Sequence, residues 1–244
     1  MAVEIQNTFA GKALTAELTH ICIGRSGSRE IVKEAVLEEH RLKASLSGGQ
    51  MLEFVCLPQF LPELMVGHLL TEGYIRQADE VESVFIDASG STGQVILKPG
   101  YKTGQFRRAA APVWEPEWIF ALAERFAQGM PVHQMTFATH SCFLAIGEQV
   151  LFSCEDIGRH NALDKAVGYG AINGIDLQRC ILYSSGRMPV DMVSKAIRAG
   201  IPVLVSKGAP TAKAVALAQR YGLTLICAAR QDRMKLFSGS KNEE

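Results

Sequence analysis

"CILYSSGRMPVDMVSKAIRAGIPVLVSKG", Cys180 to Gly208, alternates two apolar runs with one helix-like segment. Cys180–Ser184 and Pro202–Ser206 are short, apolar and bounded by turn residues, which predicts two buried strands. Between them, Pro189–Ala199 predicts a helix. Pro189 suits its first turn, where no amide hydrogen is needed, and Gly200 suits the position after its end. The pattern extends in both directions. Downstream, Pro210–Tyr221 carries Ala214, Leu217, Ala218 and Tyr221 on one stripe, with Gly222 after it, and Leu223–Ala228 is a third strand. Upstream, Val150–Cys154 predicts a strand and Asn161–Tyr169 a helix. Strands and helices alternating over short loops imply an α/β fold with right-handed crossovers and largely parallel pairing.

The first hundred residues read differently. Partial alternation in Glu34–Gly49, a strand in Gln50–Pro58 and a hairpin-like Val81–Pro99 predict a β-rich region. Pro62–Ile75 interrupts it as a helix, with Leu64, Gly67, His68 and Thr71 along one side. The Gly-, Pro- and Arg-bearing linker Gly100–Pro116 then marks a boundary. We therefore expect a smaller β-rich part over 1–105 and an α/β core over 106–244. The core opens with a helix over Glu115–Gln128, whose Ile119, Leu122, Ala123 and Phe126 hold helical spacing.

The chain has 244 residues, 48% hydrophobic content and a formal net charge of +0, enough apolar material for a real core. Balanced charge gives no general attraction for nucleic acid or membranes, so an anionic ligand needs a local site. No apolar run is long enough to span a membrane. The N-terminus is acidic and lacks an apolar core, so it does not read as a secretory signal. A cytoplasmic protein with reduced thiols follows. The six cysteines contain no Cys-x-x-Cys pair, so no zinc knuckle is expected. A zinc site from His140, Cys142, Cys154 and His160 fits no usual spacing, and no metal is assigned.

Three loops leave strands and open helices: Glu155–His160, Ser185–Met188 and Ser206–Pro210. In an α/β sheet with parallel strands all three lie on one edge, where ligands bind. Each offers helix amides and one cation, Arg159, Arg187 or Lys207, a set suited to a phosphorylated ligand. No Walker loop and no Gly-x-Gly-x-x-Gly is present. Arg159, Arg187 and Lys207 are candidates to neutralise phosphates, and amides near Gly158, Gly186 and Gly208 to cradle them. Ser185 and Ser206 flank these glycines. Asp156, His160 and Asn161 are candidates to orient the ligand or neighbouring side chains, although Asp156 also suits a helix cap. Burying so many charges requires that they pair or bind something. Within Met135–Gly147, Thr139, His140 and Cys142 stand together in an apolar stretch; an imidazole near a thiol could activate it, while a buried, inert cysteine is the commoner outcome. Lys195, four residues after Asp191, reads as half of an i, i+4 pair.

The run "EDIGRHNALDKAVG" (Glu155–Gly168) resembles the signature of the formate dehydrogenase accessory proteins, the FdhD/NarQ sulfurtransferases. "PELMVGHLLTEGYI" and Tyr183–Leu225, with its Ser-x-Arg and Asp-Met-Val-x-Lys patterns, are similar to further segments of that family. The resemblance implies a cytidine-deaminase-like three-layer core without deaminase chemistry; Pro-Cys-x-x-Cys and a partnered His-x-Glu are absent. It also implies a homodimer that takes persulfide sulfur from a cysteine desulfurase. The sulfur passes to the molybdenum or tungsten bis-(molybdopterin guanine dinucleotide) cofactor of formate dehydrogenase. The chain departs from the family in two respects: the Cys-x-x-Cys pair expected before the Glu115 helix is replaced by "FRRAAAPVWEPEW", which holds no cysteine, and Phe137-Ala138 stands where the family has Gly-Gly ahead of Thr139-His140.

Three functions follow from these readings. The chain could be a sulfurtransferase with Cys142 as the persulfide carrier. It could be a binding or escort protein that keeps the cofactor site without sulfur transfer. Or it could be a paralogue acting on another phosphorylated ligand.

Overall fold

The computed structural model describes residues 3–239. The N-terminal part runs β1 (Glu4–Asn7), β2 (Thr15–Ile23), β3 (Arg29–Leu37), β4 (His40–Leu46), β5 (Met51–Cys56), α1 (Leu61–Glu72), β6 (Val81–Ile86) and β7 (Thr92–Leu97). Burial alternates residue by residue along β4, β5 and β7, as a sheet with one wet face requires. These strands form a five-stranded sheet in the order β1-β6-β7-β4-β5. Strands β2 and β3 form a separate antiparallel ribbon, which the sequence reading did not resolve.

The C-terminal part runs α2 (Pro116–Ala127), α3 (Pro131–Thr136), β8 (His140–Ile146), β9 (Gln149–Asp156), α4 (Arg159–Ile172), β10 (Ile181–Ser184), α5 (Val190–Ala199), β11 (Val203–Ser206), α6 (Ala212–Tyr221), β12 (Thr224–Cys227) and β13 (Lys235–Ser238). Strands β10, β11 and β12 are buried at every residue, so their sequences are apolar runs without alternation. They pair in parallel. β8 and β13 run opposite to them, and β9, antiparallel to β8, completes the six-stranded sheet in the order β13-β12-β11-β10-β8-β9. The sheet is therefore mixed at its edges, because β8 and β9 are joined by a tight turn rather than by a helix.

One face of this sheet carries α2. Trp114, Ile119, Leu122 and Phe126 pack there against Phe143, Tyr183, Val205 and Ile226. The other face carries α4, α5 and α6, which gives the expected three layers. The linker boundary does not divide the core. A single hydrophobic cluster runs from Leu42, Phe54 and Val84 of the first sheet through Leu64 and Leu69 of α1 to Leu163, Val193 and Leu204. The contact between α1 and α4 is made backbone to backbone. A Cβ on Gly67 would lie 1.8 Å from the Asp164 carbonyl oxygen, and one on Gly168 would lie 1.9 Å from that of Glu63. Only hydrogen fits at those two positions. No helix among the described residues is long and apolar enough to cross a membrane.

Candidate functional site

β8 runs antiparallel to both β9 and β10, so β9 points the same way as β10, β11 and β12. The three candidate loops therefore share the carboxyl edge of the sheet. The start of β8 joins them there: Cys142 is paired with Ser184, and the Ser185 amide donates to the Ser141 carbonyl at 3.0 Å.

Thr139, His140, Ser185, Lys207 and Gly208 line one open cavity of ≈ 520 Å³ together with His133, Phe137, Ile157 and Arg230. Ser185 Oγ accepts the Ser141 amide at 3.0 Å, which leaves its hydrogen to donate to His140 Nδ1 at 3.0 Å. Burial, reinforced by the Arg159 charge, pushes His140 below the ordinary histidine range. His140 is thus neutral at pH 7 and turns a polar imidazole toward the cavity without charge. Burial, with the Arg230 charge nearby, also lowers Lys207 below the ordinary lysine value. The Arg230 guanidinium is held beside it by hydrogen bonds to the Lys207 carbonyl at 2.7 Å and the Ala229 carbonyl at 2.8 Å. Arg159 lies against Gly186, whose Cβ would meet the Arg159 Cβ and Cδ at 2.8 Å. Its Nε is buried without a hydrogen-bond partner among the described residues. None of Arg159, Arg187, Lys207 and Arg230 forms an ion pair among the described residues. Four cations on one edge, uncompensated by carboxylates, make a strong local positive field in a chain of zero net charge.

Several expected ligand contacts are instead internal bonds. Asp156 and Lys165 form a fully buried ion pair at 2.6 Å. Asp156 also accepts the amide of Leu57 at 3.1 Å and the side chain of Asn161 at 2.9 Å. Asn161 bonds the Val55 carbonyl at 2.7 Å, and Lys165 the Leu57 carbonyl at 3.1 Å. Asp156 and Asn161 therefore face the N-terminal part and bolt it to α4. His160 lies 3.2 Å from Asp191 across the α4–α5 contact. Asp191 is thus not the partner of Lys195. Lys195 is buried and pairs with Asp164 at 2.9 Å and Glu72 at 2.7 Å. Asp164 is further held by Thr71 Oγ1 at 2.7 Å and His68 Nδ1 at 3.3 Å. Glu155 accepts the Val132 and His133 amides, each at 2.8 Å, and Thr139 Oγ1 at 2.9 Å, so it caps α3 from a distance.

The glycine amides are also occupied. That of Gly158 donates to Asp156 Oδ1 at 3.3 Å, that of Gly186 to Ser184 Oγ at 3.2 Å, and that of Gly208 to Ser206 Oγ at 2.8 Å. Ser206 Oγ in turn donates to the Gly186 carbonyl. These serines are loop staples, and cationic side chains, not loop amides, remain to meet an anion. Gly208 is needed for close approach, since a Cβ there would lie 2.7 Å from the Gly186 carbonyl oxygen.

Cys142 lies in β8 with no exposed surface, beside Cys154. Burial, then the neighbouring Cys154, pushes its thiol well above the ordinary cysteine value. Of the two alternatives for Cys142, the buried one matches the structure: it packs within the hydrophobic core with no exposed surface, and burial outweighs any help from His140. Cys56, Cys154, Cys180 and Cys227 are also buried, each with its thiol raised to about 12, and Cys22 on the β2–β3 ribbon is the exposed one. Among the described residues no three metal-binding side chains converge.

Sequence reasoning missed Arg230, His133, Phe137 and Ile157. Arg230 lies three residues after the end of β12, at the same carboxyl edge, so the loop after the third parallel strand was a fourth place to look. His133 lies in a six-residue helix too short to announce itself by periodicity, and Phe137 caps its end.

The chain is similar to known proteins over most of its length. The FdhD/NarQ family model matches residues 101–243. A sulfur carrier protein FdhD from Methanothermobacter thermautotrophicus is 32% identical over 228 residues, covering 86% of this chain and 92% of the relative. That of Bacillus subtilis is 27% identical over 235 residues, covering 85% and 89%. Among solved structures, a protein designated a formate dehydrogenase accessory protein from Desulfotalea psychrophila matches with a TM-score of 0.83 at 27% identity, over 93% of this chain and 98% of that one. The family model spans more than half of the chain and the 32% identical relative covers 86% of it, and the chain belongs to the FdhD/NarQ family.

Proposed function

We propose that this chain serves formate dehydrogenase maturation by binding the pyrophosphate-bearing cofactor of that enzyme in the cleft at the carboxyl edge. The ligand is the molybdenum or tungsten bis-(molybdopterin guanine dinucleotide), handled as substrate. The observation that carries this reading is the pair Lys207 and Arg230 lining the cleft with His140 and Ser185, with Arg159 against Gly186 beside it, none of them ion-paired with a carboxylate among the described residues. Guanidinium and ammonium groups neutralise the phosphates. Neutral His140 and the Thr139–Ser185 rim supply polar contacts for guanine or ribose. The protein works as a homodimer in the cytoplasm, in contact with formate dehydrogenase. The test is calorimetric titration with GDP as probe. Lys207→Ala combined with Arg230→Ala weakens binding by about tenfold or more, on the scale of lost charge-assisted contacts. Unchanged affinity in the double variant overturns the reading.

A second reading is sulfur carriage on Cys142, favoured by the sulfur carrier names of the relatives. A cysteine desulfurase persulfide would be attacked at its outer sulfur by the Cys142 thiolate. The new S–S bond forms on Cys142, and the desulfurase thiolate leaves and takes up a proton. Because Cys142 is fully buried, β8 has to open first. Mass spectrometry of the intact protein after incubation with desulfurase and cysteine tests it. A sulfur adduct that disappears in Cys142→Ser supports carriage on this residue. Absence of an adduct on Cys142 removes this reading and leaves cofactor binding standing.

A further inference from the structure

The opposite edge of the six-stranded sheet holds a second cationic cavity. Arg76, from the turn after α1, Arg107 and Arg108, from the linker before α2, and Arg198, near the end of α5, line one hollow of ≈ 410 Å³. Its floor is apolar, with Leu70, Ile175 and Leu177 among the lining residues. Arg76 and Arg107 also line an adjoining hollow of ≈ 700 Å³ that adds Tyr101 and Lys102. Gln178 and Gly200, which lie just before β10 and β11, border the first hollow, whereas Ser185 and Lys207 follow those strands. The two cationic sites are therefore separated by the length of the sheet.

Helix C-termini attract cations, and that could explain one of the four. Arg198 does donate to the Thr71 carbonyl at 3.2 Å, and it stacks on Phe106 at 4.7 Å. The other three are not so engaged. Among the described residues, the side chains of Arg76, Arg107 and Arg108 make no ion pair and no hydrogen bond. Neighbouring carboxylates are already engaged: Asp176 caps the turn at Gln178 with a 3.1 Å bond, Glu72 pairs with Lys195 at 2.7 Å and with Arg198 at 3.8 Å, and Glu80 accepts the Arg76 amide at 2.6 Å. The linker that carries Arg107 and Arg108 is itself fixed. The Gly104 amide donates to the Gly73 carbonyl at 3.0 Å, the Ala109 amide to the Tyr221 carbonyl at 2.8 Å, and Phe106 meets Tyr221 edge to face. Like charges gathered on a fixed scaffold repel one another unless an anion joins them.

We propose that this hollow is a second ligand site, distinct from the cleft, for a small diphosphate-bearing molecule. Its volume is in the range of small-ligand pockets, and the planar guanidinium fork matches phosphate oxygens two at a time. An apolar floor beside the forks accepts the carbon skeleton that carries the diphosphate.

The experiment is calorimetric titration of the full chain with inorganic pyrophosphate at low salt. Arg107→Ala with Arg108→Ala weakens one class of site by about tenfold or more, while Lys207→Ala with Arg230→Ala leaves that class intact. Arg107→Lys with Arg108→Lys keeps the charge and loses the fork; it weakens the same class while the melting temperature holds, which separates binding from folding. GDP in place of pyrophosphate distinguishes the two sources of a diphosphate. Tighter binding of either one supports the site and names its source. If every class of site survives the Arg107/Arg108 changes, or all binding is abolished by Lys207→Ala with Arg230→Ala, the proposal is overturned. If the Lys207/Arg230 changes alter no class of site while the Arg107/Arg108 changes weaken one, this site stands and the cleft reading falls.

Discussion

Gly168→Ala and Gly170→Ala place the same methyl group in the same helix, α4, and should differ sharply. In helix propensity each gains roughly 1 kcal/mol over glycine. What the methyl meets is different. At position 170 it meets the ends of two leucines, Leu177 Cδ2 at 2.7 Å and Leu144 Cδ2 at 2.8 Å. A rotamer change or a few tenths of an ångström relieves that. At position 168 it lies 1.9 Å from the Glu63 carbonyl oxygen and 2.8 Å from the Gly67 amide nitrogen, both main-chain atoms of α1. Ordinary contact begins near 3.4 Å, so α1 and α4 must part by about 1.5 Å at the crossing. A gap of about 0.5–1 Å already forfeits a quarter to a half of each dispersion contact. The crossing also aligns Asp164 of α4 with Thr71 of α1 and Lys195 of α5. We expect Gly168→Ala to lose at least about 3 kcal/mol net, at the upper end of overpacking costs. For a chain of this size that is roughly 6–12 °C in melting temperature. Gly170→Ala should stay within about 1 kcal/mol of the parent. Urea unfolding followed by circular dichroism measures both. Equal midpoints for the two variants would refute the backbone-contact account of the α1–α4 crossing.

Two further substitutions test the buried charges. Burial would raise the Asp164 carboxyl, but Lys195 and His68 more than offset it and hold it below the ordinary aspartate value. Its contribution is therefore complete above about pH 4, the unfolded value, and is lost as pH falls through the lower folded value. Asp164→Asn should cost about 1–3 kcal/mol at neutral pH, since it leaves the buried Lys195 with Glu72 as its one counter-charge, and should flatten the acid limb of the stability profile; an acid limb unchanged from the parent would contradict it. Glu155→Ala leaves two α3 amides and Thr139 Oγ1 without their acceptor and should cost about 1–3 kcal/mol. Hydrogen exchange at Val132 and His133 should accelerate while the β8–β10 amides keep their protection; unaltered exchange in α3 would show that Glu155 is not its cap.

The parallel heart of the molecule was legible because β10, β11 and β12 are buried on both faces and are punctuated by Pro189, Gly200 and Gly222. Those cues are local. The gathering of three loops on one edge followed from strand direction alone. The roles of individual polar residues did not, because they depend on partners far away in the chain. Asp156 finds Leu57, 99 residues distant, and Lys195 finds Thr71, 124 residues distant. Spacing within Glu155–Lys165 holds no record of either. Asp191 and Lys195 are four apart, yet α5 turns the lysine into the core and leaves the aspartate exposed to meet His160. The same limit governs Cys142: proximity to His140 in sequence says nothing of which side of a strand faces the core. The β2–β3 ribbon escaped because neither of its faces is buried, so no alternation of burial is written into it.

The bolt between Asp156, Lys165, Asn161 and the Val55–Leu57 segment has an evolutionary consequence. A lineage that stopped carrying sulfur would still be under selection to fold, and these residues would be retained on that ground alone. The run Glu155–Gly168 is then a marker of descent and architecture, and chains that bear it can diverge in chemistry without any change in it. The positions free to record such a divergence are those outside the bolt: the stretch before α2, where this chain has alanines, and the cationic rim of Lys207 and Arg230.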